Sequence, residues 1–362
     1  MGRKIAVVLF NLGGPDRPEA VRPFLRNLFD DPAIIQAPGL VRWALARFIS
    51  RTRAPMARKN YAIMGGGSPL LPETEKQADA LRADLAVQLP DDEVKTFIAM
   101  RYWHPFTKAA AKAVKAWGAD EIVLLPLYPQ FSTTTTGSSL AEWKRHYSGP
   151  TRTVCCYPFA ESFVSAHVDR IMAAHEQAGR PENVRLLLSA HGLPEKIVEA
   201  GDPYQWQCET LSAMIAARVP QEWDVVGCYQ SRVGPLKWIG PATDAEVERA
   251  ATDKKNILIA PIAFVSEHIE TLVELGEEYR LLAEKHGAPS YTRVEALGDH
   301  PDFIAVLAGE TLAALGMAGR IRSCAGSRLC PTGATGCPHA DVVRTAGHAV
   351  SLAAEEEQAR VV

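Results

Sequence analysis

Apolar residues gather in short runs at positions 5–10, 94–100, 122–131, 152–157, 184–190, 223–229 and 257–264, separated by segments of helical length. Runs such as 5–10 and 257–264 show no polar alternation, the mark of strands buried on both faces of a sheet. Between them, Val21, Phe24, Leu25 and Leu28 recur at the spacing of one helical face, and residues 73–89 read as a further helix. Strand and helix therefore alternate, a rhythm that builds parallel sheets with helices on both sides. The halves also echo one another: residues 122–131 resemble 257–264, and Asn11-Leu-Gly-Gly-Pro15 resembles His191-Gly-Leu-Pro194. The expected class is α/β, with two similar Rossmann-like lobes, each a parallel β-sheet flanked by helices, and a cleft between them. Residues 1–150 would form the first lobe, 151–300 the second, 301–316 a helix crossing back to the first, and 317–362 an extension.

The pattern changes character most abruptly after residue 264, where an apolar run gives way to a row of carboxylates. Open α/β sheets bind ligands where strands end and helices begin, so His268, Glu270 and Glu274 fall where chemistry is expected. Glu267, Glu270, Glu274 and Glu278 follow spacings of three, four and four, one acidic stripe on a helix. Such a stripe is ordinarily a solvated face. Its emergence from a buried strand favours a role toward cations, a metal or a proton pathway. His268 and Glu270 lie about 200° apart on a regular helix, so they share a site only through an extended turn or a π-bulge. His191 ends another buried strand. A lone histidine is more often structural, yet at this edge a group titrating near neutrality can take protons. Glu270 is expected to face His191 across the lobe interface, with Glu274 and Glu278 receding behind it.

The strand-end loops are rich in rings, which suits a large, flat, mostly apolar ligand with chemistry at one point. Residues 38–49 carry Leu40, Val41, Trp43, Leu45, Phe48 and Ile49 beside Arg42 and Arg47. They read either as a core helix with a cationic outer face or as an interfacial lip touching lipid or an apolar ligand. The loop Gly65-Gly-Gly-Ser-Pro-Leu70 precedes a helix but has neither the dinucleotide fingerprint nor P-loop spacing, which discounts nucleotide binding.

Composition narrows the classes further. The 362 residues carry a net charge of −3, with a sequence pI near 6.4, giving no bulk field to attract nucleic acid. The N-terminus has no secretory h-region and no run is long enough to span a bilayer, so a cytoplasmic protein is expected, with peripheral contact at the inner membrane through residues 38–49. Seven cysteines without a secretory signal argue against a disulfide framework, yet Cys324, Cys330 and Cys337 fall within fourteen residues. That cluster, in a Gly/Pro-containing loop, has the look of a metal or iron–sulfur site. Zinc held by these cysteines and His339 is one reading. Cys208 and Cys228 read as buried and inert, and residues 340–360 as an Ala-rich helix that docks on the body or on a partner subunit.

Several motifs, in order along the chain, resemble the ferrochelatase family. They are Asn11-Leu-Gly-Gly-Pro15, Gly65-Gly-Gly-Ser-Pro-Leu70, Arg101-Tyr-Trp-His-Pro105, Tyr128-Pro-Gln-Phe-Ser132, Thr136-Gly-Ser-Ser139, Ser189-Ala-His-Gly-Leu-Pro194, Ser231-Arg-Val-Gly-Pro-Leu-Lys-Trp-Ile-Gly-Pro241 and Ser266-Glu-His-Ile-Glu-Thr-Leu272. The resemblance implies a chelatase-type fold and insertion of ferrous iron, as substrate, into protoporphyrin IX. It further implies His191 and Glu270 as the catalytic pair and site of the entering iron. Glu267, His268, Glu274 and Glu278 would form an acidic path, and Tyr128, Trp238, Asn11, Arg101, Leu40 and Phe48 would contact porphyrin. Cluster-bearing members imply a 2Fe-2S centre on Cys324, Cys330, Cys337 and one upstream cysteine, with Cys156 favoured over Cys155. A homodimer is known among relatives of this kind. The alternatives are a coproporphyrin III chelatase, which would need more cations around the cleft, and a non-catalytic haem or porphyrin binder.

Overall fold

In the computed structural model, which describes residues 2–232 and 234–339, the apolar runs become two parallel sheets. The first contains β1 (Lys4–Asn11), β2 (Glu93–Met100), β3 (Glu121–Pro126) and β4 (Arg152–Cys156) in the order β2-β1-β3-β4. The second contains β5 (Val184–His191), β6 (Asp224–Gln230), β7 (Asn256–Pro261) and β8 (Tyr291–Arg293) in the order β6-β5-β7-β8. Position for position the two orders are the same, so the sequence echo between the halves is an echo of topology. The central strands carry no polar alternation because both faces are covered; residues 5–10 of β1 are wholly buried.

Helices α1 (Val21–Phe29), α2 (Gly39–Ile63), α3 (Leu70–Gln88), α4 (Thr107–Trp117) and α5 (Ser138–His146) surround the first sheet. Helices α6 (Glu161–Gln177), α7 (Glu195–Glu199), α8 (Tyr204–Ala216), α9 (Thr243–Thr252) and α10 (Tyr279–Lys285) accompany the second, and α11 (Pro301–Gly316) packs on α3, α6, β3 and β4. Both lobes insert a π-helical turn at the same place, after the third strand: Thr133–Gly137 in one and Glu270–Glu278 in the other.

Four features differ from the sequence expectation. β4 stays in the first sheet, so that lobe runs past residue 150. β3 stops at Pro126 rather than continuing to residue 131, because Pro126 and Pro129 each lack the N–H that a ladder requires. The three-residue strands β8 and β9 (Ile321–Ser323) are too short to leave an apolar run, and β9 brings the extension back as the outer neighbour of β4. The lobes also share one core, in which Leu9, Leu125 and Tyr157 are continuous with Leu186, Leu258 and Phe303. The helix expected at 340–360 lies outside the described residues.

Buried glutamines fasten the lobes where the core gives way to the cleft. Gln77 of α3, fully buried, donates to the carbonyls of Val265 (3.0 Å) and Gly298 (2.9 Å) and accepts from Ser266 Oγ (3.1 Å). Gln130 donates to the Ile262 carbonyl at 2.9 Å, also across the interface. An amide bridging two lobes satisfies backbone groups that would otherwise be stranded without water. Gln77→Ala is therefore expected to destabilise the protein by about 1–3 kcal/mol, read in urea as a lower midpoint with an unchanged slope; an unaltered midpoint would show that the bridge is energetically idle.

Candidate active site

β5 and β7 are hydrogen-bonded neighbours, with Ser189 opposite Pro261, so His191 at the end of β5 lies beside the segment leaving β7. His191 Nε2 stands 3.7 Å from Glu270 Oε1, and His268 Nε2 stands 3.6 Å from Glu270 Oε2. The three groups meet within the second lobe. Glu270 does not face His191 across the lobe interface, because His191 ends β5 and Glu270 follows the neighbouring strand β7 of the same sheet.

The convergence of His268 and Glu270 depends on backbone that is not α-helical. Residues 267 and 268 are irregular, and Glu270 opens the π-helical turn, which removes the regular-helix separation between the two side chains. The same geometry breaks the four-membered stripe. Glu267 precedes the helix, and its Oε1 accepts from Arg293 (2.7 Å) and from the Ala296 N–H (3.0 Å). Burial works to raise its pKa, but Arg293 and these hydrogen bonds outweigh it and hold the carboxyl below the usual range.

His191 Nδ1 lies 2.5 Å from the carbonyl of Gly192. A carbonyl only accepts, so Nδ1 carries the proton and Nε2 presents its lone pair. Gly192 is required at this turn, since a Cβ there would sit 2.8 Å from the Gln230 carbonyl and 3.2 Å from the Trp238 ring. Phe264 stands edge-on to His191 at 6.3 Å and against His268 at 4.4 Å, shielding both imidazoles. Burial alone would raise the Glu270 pKa; the imidazoles of His191 and His268 overcome it and hold the carboxyl below the ordinary value. Its Oε2 is buried with no hydrogen-bond partner, an acceptor left over for a proton or cation.

Glu274 is clamped rather than free. Its oxygens accept from the Ser231 N–H (2.8 Å), Ser231 Oγ (2.5 Å), Gln230 Nε2 (3.0 Å) and Tyr279 OH (2.9 Å). Ser231, at φ 60°, adopts the left-handed backbone that turns its N–H onto this carboxylate. Glu278 is exposed and accepts from Asn60 of α2 at 3.3 Å; partial burial and the neighbouring Glu274 push its pKa up.

The other expected residues divide. Trp238 packs over Gly192, its Nε1 buried without a partner. The Tyr128 ring joins the first-lobe core, and its hydroxyl is likewise unpartnered. Asn11 turns inward, donating to Thr74 Oγ1 (3.0 Å) and accepting from the Leu12 N–H (2.8 Å). Arg101 pairs with buried Asp31 at 2.8 Å and donates to Ser138 Oγ at 2.8 Å. Leu40 and Phe48 are 86% and 66% exposed on α2, which removes the core-helix reading of residues 38–49. Farther along α2, buried Tyr61 lies close enough to feel the charge of Glu270. Phe264 and Tyr61 escaped the sequence reading, Phe264 alone leaving a signal as the ring that closes the apolar run, whereas Ser231 opens a motif already singled out there and Gln230 adjoins it.

The cysteines assemble around β4 and β9. A register shift at Cys155 brings its sulfur within 3.4 Å of Cys156 Sγ. Cys324 N–H donates to the Cys156 carbonyl at 3.0 Å, while Gln207 Nε2 faces Cys330 Sγ at 3.3 Å and Cys156 Sγ at 3.6 Å. Burial pushes the Cys324 thiol up to about 12. Among the described residues, no three His, Cys, Asp or Glu side chains are drawn together closely enough to hold a metal ion. Zinc requires four donors about one point, and that arrangement is not formed by Cys324, Cys330, Cys337 and His339.

Matched sheet orders around a common cleft put the chain in the class of two-lobed, chelatase-type α/β folds. SirB from Bacillus subtilis with Fe3+ has this fold, superposing with a TM-score of 0.50 at 13% identity over 87% of this chain and 96% of that one. The family follows from sequence. The ferrochelatase family model matches residues 4–314. Curated ferrochelatases of Hyphomonas neptunium and Caulobacter vibrioides are 71% and 59% identical, covering 96% and 93% of this chain and 98% of each relative. The chain belongs to the ferrochelatase family, lyases that insert iron into a porphyrin.

Because the Glu267 carboxyl is held below its ordinary value, its contribution is fully present above the unfolded pKa of about 4.3 and is lost as pH falls through the lower folded value. Glu267→Gln is therefore expected to melt below wild type near neutrality, with the gap closing under acid conditions. Thermal melts across the pH series check this, and a gap that ignores pH would refute it.

Proposed function

We propose that this enzyme inserts ferrous iron into protoporphyrin IX to give protohaem, with His191 as the proton acceptor and Glu270 as its partner. The observation that carries the reading is the half-buried carboxylate of Glu270 between two imidazoles at the strand ends. Two pyrrole protons must leave as the metal enters. The lone pair on His191 Nε2 holds one proton at a time, so the two leave in succession. The first is handed on to the carboxylates before the second is taken, and Glu270 stabilises the imidazolium in between. The carboxylates behind supply an exit: proton affinity rises from Glu270, held low, to Glu278, pushed up at the surface, so a proton moves outward down its own gradient. Imidazole and carboxylate both suit a passing ferrous ion as well.

The macrocycle lone pairs point inward, so a distorted ring presents them better than a flat one. Trp238 and Phe264 are the rings placed to press on it, with the distortion offset by contacts remote from the reacting centre. Protoporphyrin is favoured over coproporphyrin III because Arg101, the cation at the first-lobe edge, is already neutralised by Asp31. Leu40, Val41, Trp43 and Phe48, with Arg47 stacked 3.6 Å over Trp43, form an apolar face with a cationic rim suited to the membrane that stores this substrate. No helix among the described residues is long and apolar enough to cross a membrane.

Cys156, Cys324, Cys330 and Cys337 would hold a 2Fe-2S cluster. The set matches it in donor type, four cysteine thiols, but among the described residues no three such side chains are drawn together closely enough to hold a metal ion, so the fit does not extend to geometry. When bound, the cluster supplies a one-electron redox centre and a tie between the extension and the body.

His191→Ala is expected to abolish metalloporphyrin formation from ferrous or zinc ion while leaving porphyrin binding, followed by fluorescence quenching, within a few-fold of wild type. Protoporphyrin and coproporphyrin offered in parallel test substrate choice, and no product from either with wild type would defeat the enzymatic reading. Phe48→Glu is expected to weaken co-sedimentation with anionic vesicles by severalfold while sparing turnover of detergent-dispersed porphyrin; unchanged sedimentation would remove the lip from the membrane.

A further inference from the structure

The loop that follows β3 is tied to the second lobe at each residue from 130 to 133. Gln130 donates to the Ile262 carbonyl (2.9 Å), and the Phe131 N–H donates to Gln207 Oε1 of α8 (2.8 Å). Ser132 Oγ (2.9 Å), the Thr133 N–H (2.7 Å) and Thr133 Oγ1 (2.6 Å) all donate to one oxygen, Oδ2 of Asp202. The other oxygen of Asp202 accepts from the Tyr204 N–H at 3.0 Å, which anchors the carboxylate on its own side. Asp202 is 5% exposed, and among the described residues it is met by hydrogen-bond donors and not by a cation. A buried carboxylate is costly unless donors replace the water around it, and bonds to a charged acceptor are the stronger kind. The turn that carries it is closed in from behind: a Cβ on Gly201 would fall 2.2 Å from Thr335 Oγ1, and the Gly201 carbonyl accepts from the Gly336 N–H at 3.0 Å.

What Asp202 grips leads to the rim of the cleft. Ser132 caps the π-helical turn Thr133–Gly137, its Oγ accepting from the Thr134 N–H at 3.1 Å. A negative group at that end also suits the N–H groups the turn leaves open. Ser138 closes the other end; its Oγ accepts from Arg101 Nε at 2.8 Å and donates to Asp31, which also accepts from Tyr102 OH at 2.7 Å. Tyr128 lies on the same loop, just before the gripped residues. Two of the residues expected to meet porphyrin, Tyr128 and Arg101, therefore flank a turn whose start is held from the opposite lobe.

We propose that Asp202 is a positioning residue for porphyrin binding: its own oxygens are committed to protein, and it sets where the first-lobe rim carrying Tyr128 and Arg101 stands across the cleft. This rests on the reading that those two residues contact porphyrin. His191 and Glu270 belong to the second sheet and its π-helical turn, outside the loop that Asp202 holds. A displaced rim thus loosens the grip on the macrocycle and leaves proton transfer in place.

The test measures turnover of zinc ion and protoporphyrin by the full-length protein. Asp202→Asn keeps the shape of the side chain but offers donors an amide where an oxygen stood. It is expected to raise KM for porphyrin by about fivefold or more with kcat within about twofold of wild type, whereas a purely structural role would lower Tm and leave KM alone. Thr133→Val keeps the N–H, loses the hydroxyl and should show part of the same rise. In the double variant the two effects should not multiply, because both act through one contact. Should the Asn variant fail to fold, Ser132→Ala and Thr133→Val, singly and together, carry the same expectation. A wild-type KM in the folded variants, or a double variant whose effects multiply, would overturn the proposal. Tyr128→Leu separates it from the reading beneath it: a normal KM there removes this rim from porphyrin and the proposal with it. A raised KM in Tyr128→Leu beside a normal one in Asp202→Asn keeps the rim and removes Asp202.

Discussion

A carboxylate buried between two imidazoles is the constraint on which the rest of the second lobe depends. Burial works against charge on Glu270, and the imidazoles of His191 and His268 outweigh it, holding the carboxyl below its ordinary value. That balance is geometric. It requires β5 and β7 to be neighbours, a π-helical turn in place of an α-helix, and Gln77 from the other lobe to hold the Val265–Ser266 backbone just upstream.

The repeated fold makes the specialisation of this edge visible. Both lobes end their third strand in a π-helical turn, so irregular backbone at that position is a property of the architecture and not of the chemistry alone. In the first lobe the corresponding rim carries Asp31, Arg101 and Ser138, which satisfy one another. In the second, the rim leaves an imidazole lone pair and an unpartnered carboxylate oxygen. The first lobe has closed this triad into structure; the second has kept its pair available.

What the sequence disclosed follows from which signals are local. Parallel strands buried on both faces leave continuous apolar runs, so β1 and β5 were legible to within a residue, β7 at its start but three residues too far at its end, and the topological echo came with them. His191 drew attention as the end of one such run and Glu270 as part of the acidic row that follows another, and the geometry brings the two side chains within 3.7 Å. The acidic stripe misled where α-helical periodicity was applied to residues that fold otherwise: Glu267 precedes the helix and meets Arg293, whose position depends on β8, a strand too short to announce itself. Tyr61, Gln230 and Ser231 reach the site through tertiary packing, to which one-dimensional spacing is blind. The exposed face of α2 was half legible. Its composition fits a core helix equally well, and only the absence of a covering layer decides between the two.

The extension poses the opposite problem, because its sequence signal is strong and its intrinsic stability is weak. β9 is three residues long and contacts the body through a short ladder with β4 and one buried ion pair, Arg322 with Glu310 at 3.0 Å. Burial raises the Glu310 pKa before Arg322 draws it back, so that pair is a modest anchor. Residues 324–339 hold little apolar surface beyond the cysteines themselves and Ala334. A loop of this kind lacks the buried area to order itself against backbone entropy. Ligation would provide the missing term, since a metal centre that binds only the folded loop adds its binding free energy to folding. Any centre bound by these cysteines would therefore act first as a fastening of the loop to the body.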